Sequence, residues 1–486
     1  MSDEIPVKDV TPEVHDPNQP DGESHSIAGK YEGVSAKLAD KLYVRSVNGL
    51  FNKVRTASLW ALMIGYFLTP WISIDGRQAV WFDLPARQFH IWGITFWPQD
   101  FMLLSFLLII CAFGLFTITT LAGRIWCGYT CPQTAWTFIY MWVEEKIEGN
   151  RNQRMKLDRA PMTVGKLSKK LVKHLVWLAI ALATGLAFVG YFYPIRELVP
   201  DLVTFSIENQ WASFWLLFFT LATYGNAGWL REKVCLHMCP YARFQAVMFD
   251  QDTLIVSYDE ARGERGTGRG ARKKGTDPVA ANIGDCVDCS MCVQVCPTGI
   301  DIRDGLQYQC IGCALCVDAC DEIMDKMGYE RGLVKYTNEH ALKGNPVHIF
   351  RPKLIGYASA LIIMMGLFVW AIFSRTPLEL DVLRDRGALY TNASDGRVQN
   401  TYTAKIMNMA QEPHSFVISL EGLEGGELDG KTEITLKNGE VGNLPLNVKA
   451  IPWDLKASRT DIRFIVTRDD GLQVWEENRF IGPAGQ

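Results

Sequence analysis

The chain has 486 residues, 48% hydrophobic and 21% charged, with a formal net charge of −4 and a mean hydropathy of +0.03, values typical of a soluble multidomain protein. Five blocks free of Asp, Glu, Lys and Arg contradict that average, since about 20 apolar residues suffice to cross a ~30 Å hydrocarbon core. A wholly cytosolic protein is excluded, and so is a simple transporter, because roughly half the chain is polar and lies outside the blocks.

Residues 1–55 read as an N-terminal cytoplasmic tail; their first 30 residues are rich in Asp, Glu, Pro, Ser and Gly, lack a signal-peptide core and are expected to be disordered. A membrane region over 56–250 carries four expected spans, Thr56–Ile74, Phe101–Gly123, Leu175–Ile195 and Trp211–Leu230, and Leu354–Ser374 is the fifth. Ten Lys and Arg residues from Arg124 to Lys173 separate spans two and three, whereas only Arg77 and Arg87 follow span one and only Arg196 follows span three. The positive-inside rule therefore puts the N-terminus in the cytoplasm, and five crossings put the C-terminus in the periplasm.

Cysteine placement agrees. All 13 lie between Cys111 and Cys320, and residues 375–486 contain none. Thiols two or three residues apart suit metal ligation on the reducing side of a membrane better than a disulfide framework. Residues 251–353 are thus expected to form a cytoplasmic domain. Residues 375–486 read as a periplasmic sandwich of immunoglobulin type without its disulfide, with strands near 399–406, 415–420, 432–436, 446–451, 462–467 and 472–480 and turns at 428–430, 437–439 and 469–471. The fold class is a multidomain membrane protein: a five-span α-helical bundle, an inserted ferredoxin-like domain and an all-β immunoglobulin-like sandwich.

A repeat runs through the membrane region. Span two leads into Cys127-Gly-Tyr-Thr-Cys131-Pro132, and span four into Cys235-Leu-His-Met-Cys239-Pro240. Such repeats place a shared site where the halves meet. On a helix the two cysteines of each motif share one face; alternatively the proline opens a new helix, leaving the second cysteine at its N-terminus. Four converging sulfurs form a soft site that selects Cu(I), zinc or an iron–sulfur cluster. Copper and a third iron–sulfur cluster both remain open, with Met238 and His237 as supplementary candidates.

The densest signal is Cys286-x2-Cys289-x2-Cys292-x3-Cys296-Pro297 followed by Cys310-x2-Cys313-x2-Cys316-x3-Cys320, the spacing of a two-cluster bacterial ferredoxin. Each cubane takes three thiolates from one tight loop and the fourth from the other half. One [4Fe–4S] cluster is assigned to Cys286, Cys289, Cys292 and Cys320, and the second to Cys310, Cys313, Cys316 and Cys296. A pair of zinc sites would leave the repeated third and fourth thiols unexplained. Asp321, where simple ferredoxins often carry proline, adds a negative charge near the first cluster.

Taken in order, Trp126-Cys-Gly-Tyr-Thr-Cys-Pro132, Val234-Cys-Leu-His-Met-Cys-Pro240, the Gly284–Gly299 run and the Cys310–Cys320 run resemble the cytochrome c oxidase accessory proteins called CcoG, FixG or RdxA. The resemblance extends to Phe82–Trp92 and to the C-terminal segment. It implies a bacterial inner-membrane protein supporting assembly of a cbb3-type cytochrome c oxidase and acting as a cupric reductase, Cu(II) to Cu(I). Cys127, Cys131, Cys235 and Cys239 would handle copper, and the eight ferredoxin cysteines would hold the clusters.

Two other readings stand beside it: a quinol-linked polyferredoxin conduit to a respiratory reductase, and a non-redox oxidase assembly scaffold. Expected partners are membrane lipid, the oxidase or its copper-assembly factors, an unidentified cytoplasmic electron donor and, as an open alternative, a second copy of the chain. No nucleic-acid partner is expected. Three further features read as structural: Cys111 as core packing, His90 as an interfacial anchor, and the glycine- and arginine-rich run 263–275 as a flexible basic linker.

Overall fold

The computed structural model describes residues 41–483 except 75, 205–209, 394, 411 and 456; the first forty residues of the expected tail lie outside them. The chain divides into two compact units, one ending at Phe368 and one beginning at Val369. The cysteine-rich domain expected over 251–353 is therefore not a body separate from the helices that precede it.

Helix α1 runs over Leu50–Leu68, beginning inside the expected tail. Residues 41–49 are already packed: Arg45 N–H donates to Gln294 O at 2.8 Å, and the Tyr43 hydroxyl donates to Asp158 at 2.6 Å. Gly49 supplies no cap to α1. The cap comes from far along the chain, where the Asp318 carboxylate accepts the N–H groups of Phe51 at 3.2 Å and Asn52 at 2.7 Å. An anion is favoured at a helix N-terminus, where free N–H groups and the dipole converge. Only glycine fits at 49, since a Cβ there would lie 2.1 Å from Asp318 Cγ.

Two small sheets follow α1. In the second, His90 is buried within a strand, its ring nitrogen 2.9 Å from Thr95 Oγ1, and is not an interfacial anchor. Then come α2 (Phe101–Ala122), α3 (Ile125–Tyr129), α4 (Pro132–Glu148), α5 (Arg151–Arg159), α6 (Val164–Val189), α7 (Ile195–Val203) and α8 (Gln210–Thr223). Past α8 the backbone widens into π-helical turns at Tyr224–Leu230 and Val234–Met238 before α9 (Tyr241–Met248). The cysteine-rich segment carries α10 (Glu260–Gly263), α11 (Met291–Gln294), α12 (Leu315–Met327) and α13 (Glu339–Leu342), and α14 spans Pro352–Phe373.

Three described helices, not the five expected, are long and apolar enough to cross a membrane: α2, α6 and α14. The first expected span fails because α1 takes in Lys53 and Arg55 and stops at Leu68, before a Thr69–Trp71 turn. The fourth fails because α8 has only 14 residues before the π-helical widening. Cys111, expected in a core, is exposed on α2.

Buried charges tie the repeat units together. Fully buried Glu144 on α4 meets Lys41 at 2.7 Å, Arg231 at 3.1 Å and Arg154 at 3.4 Å; Glu148, one turn on, meets Lys170 at 2.8 Å and Lys173 at 2.9 Å. Burial alone would raise the Glu144 carboxyl, but Arg231, Lys41 and Lys173 outweigh it and hold it at about 2. An isolated buried carboxylate is costly, so the cations are what allow it there.

The second unit pairs two antiparallel sheets. One orders its strands as Glu427–Gly430, Val441–Ala450, Val398–Asn408 and Leu378–Arg384, and the other as Glu433–Leu436, His414–Glu421, Arg459–Arg468 and Gln473–Ile481. Tyr402, Phe416, Phe464 and Phe480 fill the core between them. The expected turn at 428–430 is an edge strand paired with Leu446–Val448, whereas 437–439 and 469–471 do turn.

Replacing Asp318 by Ala is expected to destabilise the protein by about 1–3 kcal/mol, the range for lost caps and unpaired buried donors, read as a lower midpoint in chemical denaturation. The depressed Glu144 carboxyl, at about 2 against an ordinary 4.5, stabilises the fold fully above pH 4.5 and progressively less as pH falls toward 2. Glu144→Gln should flatten that part of the stability profile, measured by denaturation at a series of pH values.

Candidate metal centres

The cysteine-rich segment is framed by a two-stranded sheet, Ile255–Tyr258 against Val334–Thr337. Within it the two Cys-x2-Cys-x2-Cys loops are conformational copies. Asp288 (φ 53°) and Ser290 (φ 54°) flank Cys289 in left-handed conformation, and Gly312 (φ 63°) and Ala314 (φ 56°) flank Cys313 in the same way. Left-handed residues are costly away from glycine, and successive turns of this kind aim backbone N–H groups into a concavity suited to negative charge. Gly312 N–H points at Cys310 Sγ at 3.5 Å.

The structure brings Cys296, Cys310, Cys313 and Cys316 around one small cavity, lined also by Cys292, Ile300, Ile302 and Ile311. Cys310 and Cys316 each lie in the field of Cys313 and Cys296. Cys320 lies in the field of Cys292, Cys286 and Cys289, and burial pushes its thiol up to about 12, with Asp321 adding to the effect. Cys296 thus sits with the second loop and Cys320 beside the first. The residues fit [4Fe–4S] clusters, since four sulfurs converge with amides on an apolar cavity. The 263–275 run is not a free linker: Gly270 N–H donates to Cys286 O at 3.2 Å and Arg272 Nη2 to the same oxygen at 2.8 Å.

Both Cys-x3-Cys-Pro motifs fold alike. Cys127 lies in short α3 and Cys235 in the second π-helical turn. Cys131 and Cys239 are extended, the conformation favoured before proline, and each proline leads into the next helix. Of the two geometries read from the sequence, the proline-opened helix is the one formed. Gln133 joins the halves, its Nε2 donating to Asn226 O and Arg231 O at 3.2 Å. Cys127 lies in the field of Cys131 and Cys239, and Cys235 in that of Cys131, Cys127 and Cys239. Burial pushes Cys127 up to about 11 against the pull of Arg124, and Cys235 up to about 12. Thiols of this kind stay protonated until a metal displaces the proton. Met238 is exposed.

The motif site adjoins the second cysteine loop. A Cβ on Gly128 would lie 2.9 Å from Ile311 O and 3.0 Å from Cys313 Cα, and one on Gly312 would lie 3.2 Å from Arg124 C. Arg124 donates to Tyr308 O and, at 3.0 Å, to Cys310 O, while its Nε meets Gln245 Oε1 at 2.8 Å. The Cys127 thiol donates to the same Gln245 oxygen at 3.4 Å. Arg55 donates to Gly128 O at 3.0 Å, and the Tyr129 hydroxyl to Cys313 O at 3.3 Å. Sequence reasoning missed Arg55, Arg124 and Gln245, none of which belongs to a motif; the Gly128 and Gly312 positions were the available signal.

Three family profiles match the chain: a 4Fe-4S dicluster domain over residues 230–339, a 4Fe-4S binding domain over 104–148, and the IG-like fold at the C-terminal of FixG over 368–483. The nitrogen fixation protein FixG of Rhizobium meliloti is 37% identical over 82% of this chain and 82% of its own. Protein RdxB of Cereibacter sphaeroides is 39% identical over 82% of this chain and 84% of its own, and protein RdxA of the same organism 38% identical over 79% and 83%. A crystal structure of a FixG-related protein from Vibrio parahaemolyticus, 34% identical, covers 22% of this chain and 99% of its own at a TM-score of 0.21.

Gly128→Ala is expected to push the motif away from the 310–316 loop, because both opposing atoms are backbone. The measurable result is loss or a changed paramagnetic resonance signal of one cluster, iron falling from about eight toward about four per chain, with the other signal retained.

Proposed function

The chain is an iron–sulfur electron-transfer protein and belongs to the FixG/RdxA family, and on that premise we propose that it reduces Cu(II) to Cu(I) during assembly of a cbb3-type cytochrome c oxidase. The observation that carries this reading is that Cys127, Cys131, Cys235 and Cys239 lie within one another's electrostatic reach, with the Cys127 motif packed directly against the loop that holds Cys310, Cys313 and Cys316. When bound, two [4Fe–4S] clusters, held by Cys286, Cys289, Cys292 and Cys320 and by Cys310, Cys313, Cys316 and Cys296, supply one-electron storage between a cytoplasmic donor and the copper substrate. Arg124 and Arg55 fix the spacing between motif and loop. Cys127 and Cys235, half-buried and held above the ordinary thiol range, give up their protons as the motif thiols take the softer Cu(I), so the product is retained until an acceptor removes it.

Three apolar helices and the charge bias around them support an inner-membrane protein with its N-terminus and cysteine-rich segment in the cytoplasm. The crossing by α14 would separate the cytoplasmic cysteine-rich segment from the immunoglobulin-like unit, which would be periplasmic, placed to contact the oxidase or a copper-assembly factor.

A second reading is favoured by one observation. The 4Fe-4S binding domain profile covers residues 104–148, a segment whose paired cysteines are Cys127 and Cys131. The four motif thiols would then hold a third cluster, and the protein would be an electron conduit.

Iron and copper quantified on one sample separate the two readings: about eight irons with bound copper supports the first, and about twelve irons the second. Cys127→Ala with Cys235→Ala should abolish protein-dependent copper reduction while both ferredoxin-type signals persist. Wild-type reduction rates in that variant would sink the assignment.

A further inference from the structure

Away from the cysteines, a second group of ligand-type side chains converges. Asp252, on the loop after α9, His340, in α13, and His348, ahead of α14, place their ligating atoms within 4.8 Å of one another. His340 Nδ1 lies 2.9 Å from Asp252 Oδ1, and His348 Nδ1 lies 3.9 Å from Asp252 Oδ2. Ligand atoms at about 2.0–2.1 Å from one metal ion are roughly 3.0–3.5 Å apart, so the observed separations bracket what a shared ion requires.

The surroundings keep the carboxylate available. Arg351 is paired with Asp250 at 2.8 Å. The loop is held by Glu339 N–H and His340 N–H donating to Gln251 O at 3.0 and 3.3 Å, and His348 N–H donates to Asp252 Oδ1 at 3.1 Å. The Asp252 side chain is 11% exposed and that of His348 64% exposed, so the group opens to solvent on the His348 side.

We infer that Asp252, His340 and His348 form a binding site for a divalent transition-metal ion, with Cu(II) the tightest ligand. Two imidazoles and one carboxylate suit borderline divalent ions, whereas Mg(II) and Ca(II) need more oxygen ligands and Cu(I) prefers thiolate. The order of affinities for such donors peaks at Cu(II). This set therefore takes the oxidised ion, and the four motif thiols take the reduced one. A role in receiving Cu(II) ahead of reduction rests on the copper reading above; the binding site itself does not.

The test uses the full-length protein with its clusters oxidised, purified on a tag free of histidine and titrated with Cu(II) and, separately, with Zn(II). One equivalent of Cu(II) should show nitrogen hyperfine structure in paramagnetic resonance. His340→Ala with His348→Ala should weaken that equivalent by about 100-fold or more, since even an outer partner of a metal ligand is worth about 10–100-fold, with iron content unchanged. Should the double variant lose iron, His348→Ala alone, altering an exposed side chain, decides. The nitrogen signal should survive in Cys127→Ala with Cys235→Ala, so failure of copper reduction there leaves this site standing. Equal Cu(II) and Zn(II) binding by wild type and His348→Ala would make the three residues a hydrogen-bonded ion pair only and overturn the site.

Discussion

The passage of electrons from the cysteine-rich loops to the paired motifs depends on the approach of one backbone to another. Gly128, inside the first Cys-x3-Cys-Pro motif, sits against Ile311 and Cys313 with no room for a Cβ. Two glycines permit the contact, and Arg55 and Arg124 hold it by donating to carbonyls on either side. Hydrogen bonds from charged groups contribute about 1.5–3 kcal/mol each, enough to fix spacing where efficient electron movement needs it. Gln245 adds a third tie by accepting from both Arg124 and Cys127.

The same economy appears in the repeat. Each half turns extended at its second cysteine and starts a helix after proline, so two sequences with little else in common present sulfur in the same way. The halves are locked by Gln133 and by the charges around Glu144, not by apolar packing alone. Buried ion networks are a costly way to hold helices, but one that fixes a unique partner for each charge.

Much of this was legible in the sequence. The ferredoxin spacing marked the 286–320 segment as an iron–sulfur domain because ligand geometry allows few alternatives, and a 4Fe-4S dicluster profile matches over it. Six sandwich strands were readable from alternation; Leu378–Arg384 and Glu427–Gly430 were not, the second because Asp-Gly reads locally as a turn while its pairing is decided by Leu446–Val448. The span count failed for a related reason: absence of charge over 211–230 cannot reveal a change to π-helical hydrogen bonding, nor that Arg55 is buried against Gly128. Asp252, His340 and His348 are separated by up to 96 residues, and no spacing rule connects them.

The cap on α1 has a consequence for how the protein is made. Phe51 and Asp318 are 267 residues apart, and Asp318 lies between Cys316 and Cys320 in α12. At about 5–20 residues per second, the ribosome delivers that carboxylate roughly 15–50 s after the helix it completes. The opening turn of α1 is therefore finished only after the last cysteine-bearing segment has been synthesised and folded, which couples the docking of the chain's first helix to maturation of its metal-binding module.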